Sequence, residues 1–444
     1  HLAFAIPDHP WSDAERAAAV RIAMTVAEAG PGDGTLATEA SEEPGDDGVP
    51  VVRLNFVLGR INPDLTIGVD VKSAKPLRAA ECMTHRGVQL MGSGFIISPA
   101  KASALGLGKV PGLNKHIRPY LNGRDVTRKS RRKMVIDLFG LAEADVRMQF
   151  PNIYQHVLLH VKPGRDQNNR PSYRKNWWIF GEPRADLRPP LAGLARYIVT
   201  VETAKHRTFS FMPADVVPDN KLIVVASGEA FVLGVLSARI HLRWATVAGA
   251  LLEDRPVWVK SECFDPFPFP DASQLYRTEI GVIAEELDAH RKARLAQHPF
   301  LTLTALYNVL AALRAGRPLT AAEKDVHDAG QVPIMRMLHD RLDSAVAGAY
   351  GWPADLSDTD IVARIVALNA ERAAEEAEGK IRWLRPEFQA PDEARRKAAQ
   401  REIVMPAASE IRPWPKDAPA QFVALRRALA EGPASARDLA PRFT

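Results

Sequence analysis

Apolar and polar positions change their period along the chain, and the changes predict its elements. VRIAMTVAEA (Val20–Ala29) alternates and is rich in β-branched residues, which predicts a buried strand. The stretch that follows, GPGDGTLATEASEEPGDDG, has no apolar period and many Gly, Glu and Asp, which predicts a loop. VPVVRLNFVLGRI (Val49–Ile61) predicts a returning strand, so residues 1–62 read as a hairpin with a long acidic insertion. GVQLMGSGFIIS (Gly87–Ser98) predicts a strand broken at Gly92 and Gly94, and KASALGL a short helix. Between Asn114 and Pro270, strand-like runs (MVIDLFG, ARYIVTV, KLIVVAS) mix with helical stretches (ADVRMQFPNIYQHVLLHV, GVLSARIHLRWATVAG), as expected of one α+β domain.

Residues 271–380 then turn almost wholly helical. YRTEIGVIAEELDAHRKARLA repeats apolar residues at helical spacing, and the capping signal at Ser357–Asp360 opens a helix that stops at Gly379. The fold class expected is therefore an α+β domain followed by an all-α domain. Residues 391–415 are charged and contain prolines, which predicts a linker, and the tail holds one helix (AQFVALRRALAEG) and the start of another.

Bulk properties narrow the class. At 46% hydrophobic residues the chain can build cores, and its 444 residues suggest more than one domain. No apolar run is long enough to span a membrane, and LAFAI at the start is too short for a signal-peptide core. Cys82 and Cys263 are the only cysteines, which excludes a disulfide scaffold and a four-thiolate zinc site and fits a cytoplasmic setting. His1 in place of an initiator Met suggests a longer reading frame upstream. Net charge is +5 overall, but residues 115–210 hold 19 Lys and Arg against 8 Asp and Glu, a net of +11 that leaves −6 for the remainder. A basic segment in a chain whose remainder is slightly acidic is the footprint of a phosphate-binding surface, or else of a solvated face that binds nothing specific.

The densest candidate chemistry lies in that segment. NKHIRPYLNGRDV and TRKSRRK precede VKPGRDQNNRPSYRKNWWIFGEPR, where Arg and Lys interleave with Tyr173, Trp177 and Trp178. Guanidinium groups pair with phosphates or guanine edges, and aromatic rings stack on unstacked bases. Adjacent tryptophans are more often core. TAKHRTFSF sets Lys205, His206 and Arg207 side by side between apolar runs, where they need an anionic partner, internal or external. ARIHLRWA places Arg239 and Arg243 one helical turn apart, and no second ligand stands at metal spacing from His241. An Asn/Asp/Ser-Pro-Pro-Tyr/Phe loop for methylating an exocyclic amine is missing. DPFPF (Asp265–Phe269) has the wrong order, and GSGF (Gly92–Phe95) lacks the helix a cofactor-binding turn needs.

Taken in order, these strings resemble the MmeI-like DNA methyltransferases, their restriction–methylation fusions and their single-chain relatives in phage defence. HLAFAIPDHPWSDAERAAAVRIAMTV resembles the stretch after the catalytic loop. IRPYLNGRDV, YRKNWWIFGEPR and ARYIVTVETAKHRTF resemble the body of the target recognition domain, and VLGVLSARIHLRWA and FDPFPFP its end. LTALYNVL, LDSAVAGAYGWPADL and LNAERAAEEAEGKIRWLRPEFQ resemble the helical C-terminal domain. The resemblance implies that residues 1–62 end a Rossmann-like methyltransferase sheet, 63–270 form the target recognition domain, 271–390 the helical domain and 391–444 a linker with a truncated helical segment. It implies an upstream domain that binds S-adenosylmethionine and methylates adenine at N6, while this region reads double-stranded DNA. The positions it points to for DNA contact are Tyr120, Asn122, Arg124, Arg174, Lys205, His206, Arg207, Arg239 and His241, with Trp177, Trp178 and Trp244 as packing residues. The alternatives are a stand-alone DNA-binding specificity module and a scaffold whose basic segment pairs with its acidic remainder.

Overall fold

The computed structural model describes residues 1–11, 20–44, 50–62, 65–252, 255–392 and 414–430. The chain divides into two compact units, His1–Arg382 and Trp383–Thr444.

The first unit opens with a mixed sheet of four strands, β1 (Leu2–Trp11), β2 (Val20–Ala27), β3 (Gly34–Pro44) and β4 (Pro50–Gly59). Their order is β2-β1-β3-β4, with β1 and β3 parallel and the outer pairs antiparallel. Two expectations fail here. From Gly34 to Pro44 the acidic stretch is a strand, because Leu36 and Ala37 are buried and Thr35–Thr38 pair with Asn55–Leu58; its remainder, 45–48, lies outside the described residues. Arg21 holds the strand's carboxylates in place, donating to Glu42 at 2.8 Å and to Glu39, and ties them to Asp8 on β1 at 2.7 Å. Nor is Val20–Ala27 buried, since it forms a sheet edge and leaves Val26 53% exposed. The core of this sheet is small, made of Ala5, Leu36 and Ile61, and Phe56 and Leu58 face solvent.

The α+β part carries two further four-stranded sheets. One, in the order β10-β9-β12-β5, joins β5 (Thr84–Arg86), β9 (Arg196–Val201), β10 (Phe209–Pro213) and β12 (Leu222–Val225) in antiparallel fashion. The other, in the order β11-β7-β8-β6, joins β6 (Ile96–Ile97), β7 (Ile117–Leu121), β8 (Lys133–Ile136) and β11 (Val217–Pro218). Helices α1 (Pro99–Ala104), α2 (Gly123–Thr127), α3 (Glu143–Gln149) and α4 (Pro151–His160) flank it. They are followed by the short helices α5 (Lys162–Asp166), α6 (Pro171–Lys175) and α7 (Arg188–Leu191). The strand expected over Gly87–Ser98 shrinks to β6, because a tight turn at Ser93–Phe95 brings Gly94 against the His160 carbonyl, where a Cβ would sit 2.4 Å from the oxygen.

The predicted helix over GVLSARIHLRWATVAG is two helices, α8 (Ala230–Ser237) and α9 (Arg239–Ala248), bent by 61°. Ala238 is extended between them, and Asp343 accepts the Arg239 N–H at 2.7 Å, capping α9 from outside. A small hairpin, β13 (Ala250–Leu252) and β14 (Arg255–Val257), and the short helix α10 (Lys260–Cys263) end this part.

The expected helical region follows as α11 (Gln274–Gln297), α12 (Leu303–Arg314), α13 (Ala321–Gly330), α14 (Val332–Tyr350) and α15 (Asp358–Ala377). Thr302, Thr320 and Ser357 cap α12, α13 and α15 with their hydroxyls, as side-chain acceptors do for otherwise orphaned N–H groups. α8, apolar and buried over most of its length, packs on α11 so closely that a Cβ on Gly234 would stand 2.4 Å from Ile280 Cγ2. Buried Asn369 on α15 donates to the carbonyls of Lys75 at 2.8 Å and Pro266 at 2.6 Å and accepts from Lys75 N–H at 2.9 Å. No single helix among the described residues is long and apolar enough to cross a membrane. In the second unit, Pro386–Gln389 and the expected tail helix, Ala418–Ala430, are helical. The linker expected over 391–415 and the segment after the tail helix lie largely or wholly outside the described residues.

Candidate nucleic-acid interface

The basic run after β7 is organised by one buried carboxylate. Asn122 caps α2, accepting the N–H groups of Arg124 at 3.1 Å and Asp125 at 3.3 Å, and Asp125 answers with a bond from the Asn122 N–H. The side chain of Asp125, fully shielded from solvent, also accepts Arg131 Nε at 3.0 Å, Nη2 at 2.7 Å and the Arg131 backbone N–H at 2.8 Å. Burial raises the Asp125 pKa, but these bonds outweigh it and hold the carboxyl below its ordinary value. The bidentate pair folds the loop back on α2. Arg124, Arg128, Lys129 and Arg132 are left exposed, with no ion pair among the described residues, and Arg132 adopts φ +52°.

Lys205, His206 and Arg207 sit in one turn between β9 and β10 yet face three different surroundings. Lys205 is exposed and free of ion pairs among the described residues. His206 bonds Asn308 Oδ1 at 2.8 Å and stacks on Tyr307 at 5.9 Å, and burial lowers its pKa. Arg207 turns inward and donates to Thr200 Oγ1 at 3.1 Å, to the Pro256 carbonyl at 3.1 Å and to the carbonyls of Val201 and Glu202. It ties the turn to the β13–β14 hairpin, and burial brings its pKa down to about 10.

Other expected contact residues are engaged internally. Tyr120 is 3% exposed and its hydroxyl donates to Asp219; burial, then that bond, lifts its pKa far above the ordinary value. His241 is completely buried among Phe209, Trp258 and Phe267, and its Nδ1 meets the Leu236 carbonyl at 2.8 Å. Burial pushes its pKa down to about 3, so the ring is neutral near pH 7. Arg239 and Arg243 converge on Asp358, at 2.6 and 3.0 Å. Arg174 is exposed and donates to the Asn168 carbonyl. Trp177 is core, Trp178 donates to the Leu141 carbonyl at 3.0 Å and Trp244 to the Cys263 carbonyl at 3.1 Å, matching the packing role expected of all three.

Lys205, Arg239, Arg243 and Arg314 line a cleft of about 620 Å³ between the β9–β10 turn and the helical region. Arg128, Lys129 and Arg132 were visible in the string TRKSRRK, but which of its cations would lack a partner depends on Asp125 selecting Arg131. Arg314, which answers Asp340 at 2.7 Å across the helical region, carried no signal in its own string. The Gly92–Gly94 turn is not a cofactor-binding turn: His160 and Val161 crowd it, and it leads into a two-residue strand.

Cationic side chains are thus displayed on loops of the α+β part, with the helical region following it. Residues 67–271 match the family model described as "MmeI, target recognition domain". The structure of the Type IIL restriction-modification enzyme MmeI in complex with DNA shares the fold, with a TM-score of 0.59 at 17% identity, over 84% of this chain and 46% of that one. DNA methyltransferase A of Bacillus subtilis (strain 168) is 26% identical over 161 residues, which cover 35% of this chain and 15% of the relative. The chain thus spans less than half the length of each of these relatives.

Proposed function

We propose that this chain reads DNA sequence for an S-adenosylmethionine-dependent, adenine-N6-specific DNA methyltransferase of a restriction-modification or phage-defence system. The observation that carries the reading is the set of unpaired cations on the α2–β8 loop, joined by Lys205 on the β9–β10 turn, within the matched recognition domain. Arg124, Arg128, Lys129, Arg132, Arg174 and Lys205 contact the duplex directly. Tyr120, Asn122, His206, Arg207, Arg239 and His241 hold the elements that present them. In this reading 63–270 recognise DNA, 271–390 form a helical C-terminal domain, 391–444 a linker and truncated helical segment, and β1–β4 are the end of a Rossmann-like catalytic sheet. The parallel β1–β3 pair and the bare Phe56 and Leu58 favour that continuation. The cofactor and the methyl transfer belong to sequence outside this chain.

Phosphate contacts release counterions, so affinity falls with salt at a slope of roughly 0.9 per contact. Fluorescence anisotropy on a labelled duplex across a salt series should show that slope, and removing Arg128 or Lys205 should reduce it by about 1 each. A salt-independent affinity, or slopes unmoved by both substitutions, would sink the proposal.

A further inference from the structure

Beneath the basic loop lies a cavity of about 510 Å³, between β9, β10 and α11, within the roughly 300–1,000 Å³ range of pockets that hold small molecules. Its walls are apolar: Leu121, Val126, Val199, Phe211, Met212 and Leu295 line it. Phe211 is fixed by the Arg196 guanidinium 3.6 Å from its ring centre. Charge is one-sided, with Arg128, Lys129, Arg132, Arg291 and Lys292 against the single carboxylate Asp125, which Arg131 already occupies. Asp288 likewise holds Lys292 at 2.5 Å, so the cations left for a ligand are Arg128, Lys129 and Arg132.

A second observation points inward. Arg291 lines the cavity at 2% exposure; its terminal nitrogens serve Tyr307 Oη at 3.1 Å and the Phe209 carbonyl at 2.6 Å and face Asp288 at 3.6 Å, but its Nε has no hydrogen-bond partner among the described residues. A buried guanidinium N–H without an acceptor is costly, and a ligand acceptor relieves it. Ser210, 8% exposed in the same wall, has a hydroxyl with no hydrogen bond among the described residues.

We propose that this cavity is a nucleotide site: a single base lies against the apolar wall, with Arg291 Nε and Ser210 near its polar edge and its phosphate among Arg128, Lys129 and Arg132. Unpaired guanidinium groups suit a phosphate's geometry, and an apolar wall suits a base's π-face. The nucleotide comes either from solution or, extrahelical, from bound DNA. The second source rests on the duplex-binding reading above; the first does not, so the two fail separately.

The test uses the full chain and a mouth-plugging variant. Ala296 is exposed on α11 at the cavity rim, so Ala296→Trp fills the opening without touching the core. Titration calorimetry with 2′-deoxyadenosine 5′-monophosphate should detect binding that deoxyadenosine or inorganic phosphate alone reproduces at least tenfold more weakly. Ala296→Trp, and separately Arg128→Ala with Arg132→Ala, should weaken it at least tenfold. In parallel, a duplex with one extrahelical adenosine is compared with a perfect duplex. Either a nucleotide response or a bulge preference that Ala296→Trp removes supports the site, the first assigning free nucleotide and the second a DNA-borne one. Absence of both, a response that survives Ala296→Trp, or phosphate binding as tightly as the nucleotide overturns it. Loss of perfect-duplex binding alone counts against the DNA reading and leaves this site standing.

Discussion

Asp125→Ala isolates the device that arranges the basic loop. The wild-type carboxylate accepts three bonds from Arg131 and one from the Asn122 backbone, and it has no exposure to water. Bonds to charged groups contribute about 1.5–3 kcal/mol each when removed singly, and those sharing one acceptor do not add. The Arg131 side chain is 36% exposed and regains water when released, which keeps the total below that of a fully buried pair. A loss of about 3 kcal/mol follows, measured by urea denaturation against wild type. Asp125→Asn keeps the shape and two acceptor positions but not the charge, and should fall near half of that. Because the folded-state pKa lies below the ordinary 3.8, the carboxylate's contribution is complete above that value and fades as pH drops further. The gap between wild type and Asp125→Asn should therefore narrow only below about pH 4. Duplex affinity should fall as well, because Arg128, Lys129 and Arg132 lose their fixed placement. A stability loss under about 1 kcal/mol, or a gap that narrows already near pH 6, would refute the argument.

Two further outcomes test the packing and the buried imidazoles. Gly234→Val should cost about 2–3 kcal/mol by overpacking against Ile280, with Gly234→Ala intermediate; an unchanged denaturation midpoint would mean that α8 and α11 separate freely. His241 and His339, both held near a pKa of about 3 by burial, stay neutral while the unfolded chain takes up protons below about 6.5. Stability should therefore decline steadily as pH falls from about 6.5 toward 3, and the double variant His241→Phe, His339→Phe should show a flatter decline between pH 7 and 5. Equal slopes in the two proteins would show that these rings do not set it.

Strong local periodicity was legible in the sequence. The α+β to all-α change, the strands β8, β9 and β12 and the caps of α15 follow from patterns a few residues long. What escaped depended on partners distant in sequence. Gly34–Pro44 looked like a loop because its charges mask a strand that β1, β4 and Arg21 stabilise. The break at Ala238 is set by Asp343, a hundred residues away, and no helical pattern records it. Among candidate contact residues, chemistry was readable and direction was not. Lys205, His206 and Arg207 are equally polar neighbours, and whether each faces water, a neighbouring helix or the interior is decided by β13–β14 and α12.

The buried amide of Asn369 has a practical corollary. One side chain near the end of the helical region satisfies backbone groups at Lys75 and Pro266, at opposite ends of the recognition domain. Cutting the chain between Pro270 and Gln274 would strand those groups and bare the surface where α8 meets α11. Exchanging the recognition domain as a cassette would therefore import its neighbour's mismatches. Substitutions confined to Arg124, Arg128, Lys129, Arg132 and Lys205, which have no ion pair among the described residues, spare Arg131 and Arg207 and are the smaller step toward altered recognition.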